Sequence, residues 1–157
     1  MGREPAASDS LYCSEFLGCQ AVMQFGSERQ KQRYLQPLLS GELLATLAVQ
    51  EAAAGSDASG IETEAAYDVD TDTYSLRGRK TWVPNSGSAG LFVVIAKTVQ
   101  KNYMGLEESG LTAFLVDSEA SGVTVGQQYH VGAYDGLQLA DVEFDCKGEL
   151  MTGTHSC

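Results

Sequence analysis

One change of pattern near Gly41 constrains the fold of this 157-residue chain more than any other feature. Upstream, apolar residues recur at helical spacing. Downstream, from Leu43 on, short apolar segments are separated by Gly, Asp, Ser and Asn, and no helical period follows Gly60. Ser10 through Phe25 reads as a helix carrying Leu11, Phe16, Leu17, Ala21, Val22 and Phe25 on its apolar side, with Gly26 as its stop. Ser27 opens a second helix. Gln30 stands three residues on, where it can return a hydrogen bond to the cap. Tyr34, Leu35, Leu38 and Leu39 form that helix's apolar face. Pro37 is expected to kink or end the regular turns, and Gly41 closes the segment.

The candidate strands are Leu43–Val49, Ile61–Tyr67, Tyr74–Leu76, Lys80–Val83, Leu91–Lys97, Leu111–Val116, Val123–Gln128 and Leu137–Phe144. Strands in succession argue for an antiparallel sandwich or barrel and against alternating strand–helix units. The expected fold is therefore mainly β, an antiparallel β-barrel or sandwich with a short α-helical N-terminal segment. Leu91–Ala96 is apolar on both faces and belongs in the centre. Val99–Gly110 is polar and reads as a surface loop. The helical part is too short to bury both its faces alone, so it must pack on the sheet or on further chain.

Ten basic residues against 21 acidic ones leave a formal net charge of −11. Such a charge opposes nonspecific binding to nucleic acid or to an anionic membrane, while leaving room for a locally basic phosphate pocket. No apolar run is long enough to span a bilayer. The first residues show neither an apolar signal core nor an Arg-rich, acid-poor leader, and Ala6 breaks the myristoylation pattern. Cys13, Cys19, Cys146 and Cys157 lack zinc or redox spacing and are expected to be reduced structural thiols.

Several constellations invite chemistry and read more simply as structure. Asp68-Val69-Asp70-Thr71-Asp72-Thr73 imitates the start of a calcium loop. Thr73 stands where the turn needs Gly and Arg79 where the last ligand needs Glu, so a solvated hairpin tip is expected. His130 and His155 have no carboxylate at a telling spacing and read as surface or loop residues. Trp82, taken alone, reads as a core anchor. Gly55-Ser56-Asp57 is a turn whose backbone N–H groups and Ser56 hydroxyl can meet a phosphate oxygen. Glu51, a lone carboxylate at a strand end, reads as solvated.

Order and spacing tie these pieces together. Gly26-Ser27-Glu28-Arg29-Gln30-Lys31-Gln32-Arg33-Tyr34-Leu35, followed by Ser40-Gly41-Glu42, resembles the last helices of the amino-terminal domain of acyl-CoA dehydrogenases. Leu47-Ala48-Val49-Gln50-Glu51-Ala52-Ala53-Ala54-Gly55-Ser56-Asp57 is similar to the family's aromatic-x-x-Thr-Glu-Pro-Gly-x-Gly-Ser-Asp segment. Leu76-Arg77-Gly78-Arg79-Lys80-Thr81-Trp82-Val83-Pro84-Asn85 is similar to its Leu-x-Gly-x-Lys-x-Trp-Ile-Thr-Asn strand. Leu91–Thr98, Leu111–Asp117 and Val142–Phe144 continue the match, and the long Val99–Gly110 segment leans towards the very-long-chain branch.

The resemblance implies that residues 1–41 are the remnant of a helical domain and residues 42–157 a middle β-domain. It also implies that the carboxy-terminal helical domain, with the catalytic glutamate and most of the homo-oligomer interface, is absent. In the family a glutamate removes the α-proton of an acyl-CoA thioester while hydride passes to FAD. By position, Leu47, Val49 and Gln50 would approach the flavin ring. Gly55 and Ser56 would meet its pyrophosphate, with Ser56 also near the CoA arm, and Trp82 would pack against the isoalloxazine.

Three changes weaken FAD binding in this reading. Gln50 replaces a threonine, Ala52 replaces the loop proline, and Pro84 replaces the threonine whose hydroxyl reaches the flavin. Two functions follow: an FAD-binding piece of an acyl-CoA dehydrogenase, inactive by itself, or a non-catalytic relative serving as a binding or respiratory-complex assembly module. The family places such a protein in mitochondria in a eukaryote and in the cytoplasm in a bacterium.

Overall fold

Alternate residues of one central strand serve two cores. Among the described residues there are seven strands: β1 (Ala45–Ala48), β2 (Glu64–Asp68), β3 (Thr73–Val83), β4 (Leu91–Lys101), β5 (Glu107–Asp117), β6 (Val123–Gln128) and β7 (Ala140–Leu150). They come from a computed structural model that describes residues 10–101, 104 and 107–151. Along β4, Phe92, Val94 and Ala96 join Leu76, Phe114, Val142 and Phe144 inside the barrel. Leu91 and Val93 face the other way and pack with Leu115 against the helices. This is the period-two alternation of a strand buried on both sides, as the apolar run at Leu91–Ala96 predicts.

Five strands close the barrel in the order β4–β2–β3–β7–β5 and back to β4. The β4–β5, β5–β7, β7–β3 and β3–β2 contacts are antiparallel, and the seam between β2 and β4 is parallel. Outside the ring, β1 adds to β4 in parallel and β6 pairs with β7. Closure removes the open edges of these five strands.

Several sequence expectations need correction. Tyr74–Leu76 and Lys80–Val83 are one strand, because extended backbone runs through Gly78. Residues 99–101 and 107–110 are strand rather than loop, with Val99 opposite Ser109 and Lys101 opposite Glu107. A ladder needs only backbone partners, so a polar pair of strands extends past the core. Gly132–Leu137 is a 3-10 turn, and β7 starts at Ala140 and runs to Leu150.

Among the described residues, two helical stretches precede the barrel: α1, residues 10–25, and α2 (Glu28–Ser40). The Ser27 hydroxyl accepts from the Gln30 N–H at 3.3 Å while the Gln30 amide oxygen accepts from the Ser27 N–H at 2.9 Å. This is the expected reciprocal cap. Gln30 then donates to the Leu150 carbonyl and ties α2 to β7. Pro37 does not end α2, which runs to Ser40. The missing N–H falls in the last turn, and the Pro37 carbonyl is satisfied by Leu43 N–H. Gly41 ends the helix with φ +76°, the left-handed cap favoured by glycine.

In α1 the buried side matches the apolar side read from sequence only at Ala21 and Val22. Wide π turns over Cys13–Cys19 shift the register, so Ser14, Gly18, Cys19 and Val22 face the sheet. Leu11, Phe16 and Phe25 are exposed, and the Tyr12 and Phe16 rings stack at 4.6 Å. Gly18 packs α1 directly against β1. A Cβ there would sit 2.3 Å from that of Ala45.

The acidic Asp68–Thr73 segment is an exposed turn. The Asp68 carboxylate accepts from the Asp70 N–H and the Thr71 hydroxyl, and no metal-holding cluster occurs among the described residues. His130 is exposed. Cys19 and Cys146 are free thiols; His155 and Cys157 lie outside the described residues. Among the described residues, no helix is long and apolar enough to cross a membrane.

Candidate functional site

The site grows from one buried ion pair. Counting by twos along β3, Leu76, Gly78 and Lys80 share the inward face, so Lys80 must carry its ammonium into the barrel wall. It is fully buried. Its Nζ donates to Glu51 Oε1 at 2.7 Å and to the Val49 carbonyl at 2.9 Å. Glu51 also accepts from Thr63 Oγ1 at 2.5 Å, Thr63 N–H at 3.0 Å and Glu62 N–H at 2.7 Å. Burial opposes its charge, but the Lys80 ammonium and these donors outweigh it and hold the carboxyl down at about 2. Glu51 is therefore not the solvated carboxylate that its strand-end position suggests.

This anchor fixes the small-residue loop after β1. Glu51 and Ala54 exchange backbone hydrogen bonds at 2.9 and 3.1 Å, and Thr81 N–H donates to the Gln50 carbonyl at 2.7 Å. The loop and the tryptophan strand are thus joined directly. Gly55 and Ser56 are exposed. The Gln50 amide nitrogen would lie 3.8 Å from a Cβ at Gly55.

Trp82 is 45% exposed, so it is not a core anchor. Its φ is +55°, a conformation that bulky residues avoid, and it sits where the β3–β7 register shifts between Lys80 and Val83. Its ring stacks on Tyr129 with centroids 4.4 Å apart and planes 18° from parallel. Tyr129 donates to Asp141, whose other oxygen takes two bonds from Arg79. An open cleft of about 650 Å³ lies here, lined by Ala52, Ala53, Glu62, Arg79, Trp82 and Tyr129 among others.

Beyond the tryptophan the chain turns. Pro84 is half-buried, and Asn85 adopts φ +54° with its N–H on the Leu137 carbonyl and its amide on the Ser10 carbonyl. The Asn85 side-chain oxygen is buried with no hydrogen-bond partner among the described residues.

The chain and its fold have close counterparts among known proteins. Residues 46–146 match the acyl-CoA dehydrogenase middle domain and residues 2–42 the N-terminal domain of the same enzymes. The chain belongs to the acyl-CoA dehydrogenase family. It is 36% identical to a mitochondrial very long-chain specific acyl-CoA dehydrogenase of Macaca fascicularis, over 89% of this chain and 22% of that protein. It is 33% identical to an acryloyl-CoA reductase (NADH) of Anaerotignum propionicum, over 93% of this chain and 36% of that one. The structure of butyryl-CoA dehydrogenase from Megasphaera elsdenii superposes with a TM-score of 0.82 at 30% identity, covering 94% of this chain and 38% of that one. An acyl-CoA dehydrogenase from Bacillus anthracis complexed with FAD gives 0.82 at 28% identity, covering 94% and 24%. The chain thus spans a minor part of these relatives, namely segments of the N-terminal and middle domains of a flavoprotein family.

Of the residues that the family motif marks, Trp82 and the Ala52–Ala53 turn share the cleft, with Gln50 tied to its wall. Leu47 does not join them. It packs towards α1, in an apolar groove of about 340 Å³ with Phe16, Leu17, Val93 and Ile95. Val49 takes part through its carbonyl. Sequence reasoning assigned no role to Lys80, Thr63, Tyr129 or Asp141. Lys80 was findable, because an inward lysine in an apolar barrel demands an acid and Glu51 is the carboxylate at the adjoining strand end. Tyr129 had no such signal.

Proposed function

We propose that this chain is the FAD-binding middle-domain part of an acyl-CoA dehydrogenase-like flavoprotein, its own residues holding the cofactor rather than performing the proton transfer. The observation that carries the reading is the union of the Gln50–Ser56 loop with the Trp82 strand, made by the Lys80–Glu51 pair and the Thr81–Gln50 hydrogen bond. FAD, when bound, supplies the hydride-accepting ring of acyl-CoA α,β-dehydrogenation in this family.

The residues present fit such a group. An exposed indole offers a flat apolar wall. Gly55 and Ser56 offer exposed backbone for a phosphate. The Gln50 amide is long enough to offer a donor where a threonine hydroxyl stands in the family. Pro84 subtracts one donor. Glu51, although it lines the cleft, is unsuited as a general base. Its oxygens are occupied and its pKa of about 2 leaves little affinity for a substrate proton.

The test is a flavin titration of the purified chain, followed by visible absorbance and fluorescence quenching. Retention of FAD supports the reading. Pro84→Thr restores a donor, and we expect affinity to rise about tenfold, the worth of one net hydrogen bond. Unchanged affinity removes Pro84 from the neighbourhood of the ring. Failure of both forms to hold FAD sinks the proposal. That outcome leaves the second reading, a non-catalytic binding or assembly module, which the Pro84 and Gln50 replacements favour. Bleaching of bound flavin by an acyl-CoA would instead show that the chain is active by itself.

A further inference from the structure

Trp82 is held in a backbone conformation that needs support. A bulky residue at φ +55° is strained and persists only where its surroundings over-determine it. From the chain side, Lys80 is anchored on Glu51 and Thr81 on Gln50. From the side-chain side the one described ring contact is Tyr129, which arrives from the segment after β6, with its N–H fixed on the Leu139 carbonyl at 2.7 Å. The phenol is fixed in turn. It donates to Asp141 on β7, and Arg79 of β3 clamps the other carboxylate oxygen at 2.6 Å. Two strands, β3 and β7, and the segment after β6 thus converge on the placement of one indole.

We infer that Tyr129 is the positioning residue of Trp82: it covers one face of the indole, locked by Asp141 and Arg79, so that a planar ligand meets the tryptophan only from its uncovered side. The inference rests on the flavin reading for the identity of that ligand, an isoalloxazine ring. The indole's placement does not depend on it. A face already stacked at 4.4 Å has no room for a second ring. The remaining face and the edge are what is offered.

The chain contains a single tryptophan, so its fluorescence reports this one position. The experiment uses the full chain, excited at a wavelength selective for indole, with emission and acrylamide quenching recorded before and after FAD is added. Tyr129→Leu removes the stack. We expect a red-shifted emission, a quenching constant raised about twofold, and FAD affinity weakened about three- to tenfold, the worth of one aromatic pair. Tyr129→Phe keeps the ring and loses the Asp141 bond, and is expected to retain most of the wild-type emission and affinity. Asp141→Ala, which frees the phenol, is expected to fall between the two.

Emission and quenching unchanged in Tyr129→Leu would overturn the proposal. So would a Tyr129→Phe variant as impaired as Tyr129→Leu, since the ring would then be irrelevant. Circular dichroism identifies a variant that has lost the fold, in which case Tyr129→Phe and Asp141→Ala decide. If no form binds FAD while the indole signal moves as described, the flavin reading fails and the positioning role stands. If FAD binds equally to all forms while the indole moves, Tyr129 places the ring without bearing on the ligand, and the inference fails at that step.

Discussion

The clamp under the cleft and the seat of α1 join segments distant in the chain by opposite means. At the clamp, Glu51 and Lys80 are both buried, and the carboxylate takes four hydrogen bonds. At the seat, Gly18 and Ala45 meet by shape alone, with one hydrogen bond nearby from Ala45 N–H to Ser14 Oγ at 3.0 Å. The clamp is directional and admits one arrangement of loop and strand. The seat is close contact between small residues, beneath a helix whose large apolar side chains are exposed. Directional burial belongs to the globally stable unit, whereas a thinly packed helix opens at lower free energy.

Breaking the clamp gives the largest expected effect. Lys80→Met leaves Glu51 charged, buried and short of its cation, a defect worth about 3–5 kcal/mol. Urea unfolding followed by far-UV circular dichroism should show the midpoint fall accordingly. Adding Glu51→Gln removes the stranded charge while keeping an acceptor for Thr63, and should recover at least half of the loss. A Lys80→Met protein within about 1 kcal/mol of wild type would mean that the pair is not the anchor.

The same pair fixes an acid limit. The folded pKa of Glu51, about 2, lies below its ordinary value of 4.5. Its contribution is therefore complete above pH 4.5 and is lost as pH falls from there towards 2. The shift corresponds to about 3 kcal/mol. Measured at pH 7 and again near pH 3, unfolding free energy should drop more in wild type than in Glu51→Gln, which has no such proton to take up. Equal drops would show that other carboxylates set the acid limit.

This contrast also explains which parts were legible in the sequence. The barrel was, because Leu91–Ala96 is an unbroken apolar run of strand length, set among short apolar segments that glycines and aspartates punctuate. The reciprocal cap at Ser27 and Gln30 was legible because both partners lie within one turn. The buried face of α1 was not. Its π turns rotate Ser14, Gly18 and Cys19 onto the sheet, and small residues send no hydrophobic signal. At the site, the motif marked Gln50, Gly55 and Trp82, whereas the residues that fix them act across the fold. Thr63 lies 12 residues from Glu51 on another segment, and Tyr129 stacks on Trp82 from the segment after β6. Long-range partners of this kind have no local pattern. The outward placement of Trp82 follows from a register shift between two strands, which its neighbours in sequence do not announce.

The smallest effect tests the seat. Gly18→Ala sets two quantities against each other. Alanine favours a helix over glycine by about 1 kcal/mol. Yet its methyl would lie 2.3 Å from the Ala45 Cβ and 2.9 Å from the Ala45 carbonyl carbon, and one of these is backbone in a strand fixed on β4. Overpacking of this kind costs about 1–3 kcal/mol, so the clash should win by about 1 kcal/mol. The loss should be local. Amide exchange should speed up across residues 10–25, while the β3, β4 and β7 amides keep their protection, because the clamp and the barrel interior are untouched. Exchange that quickens evenly through barrel and helix would show that the two regions unfold as one unit. A more stable Gly18→Ala protein would show that helix propensity outweighs the seat and that α1 is free to shift on the barrel.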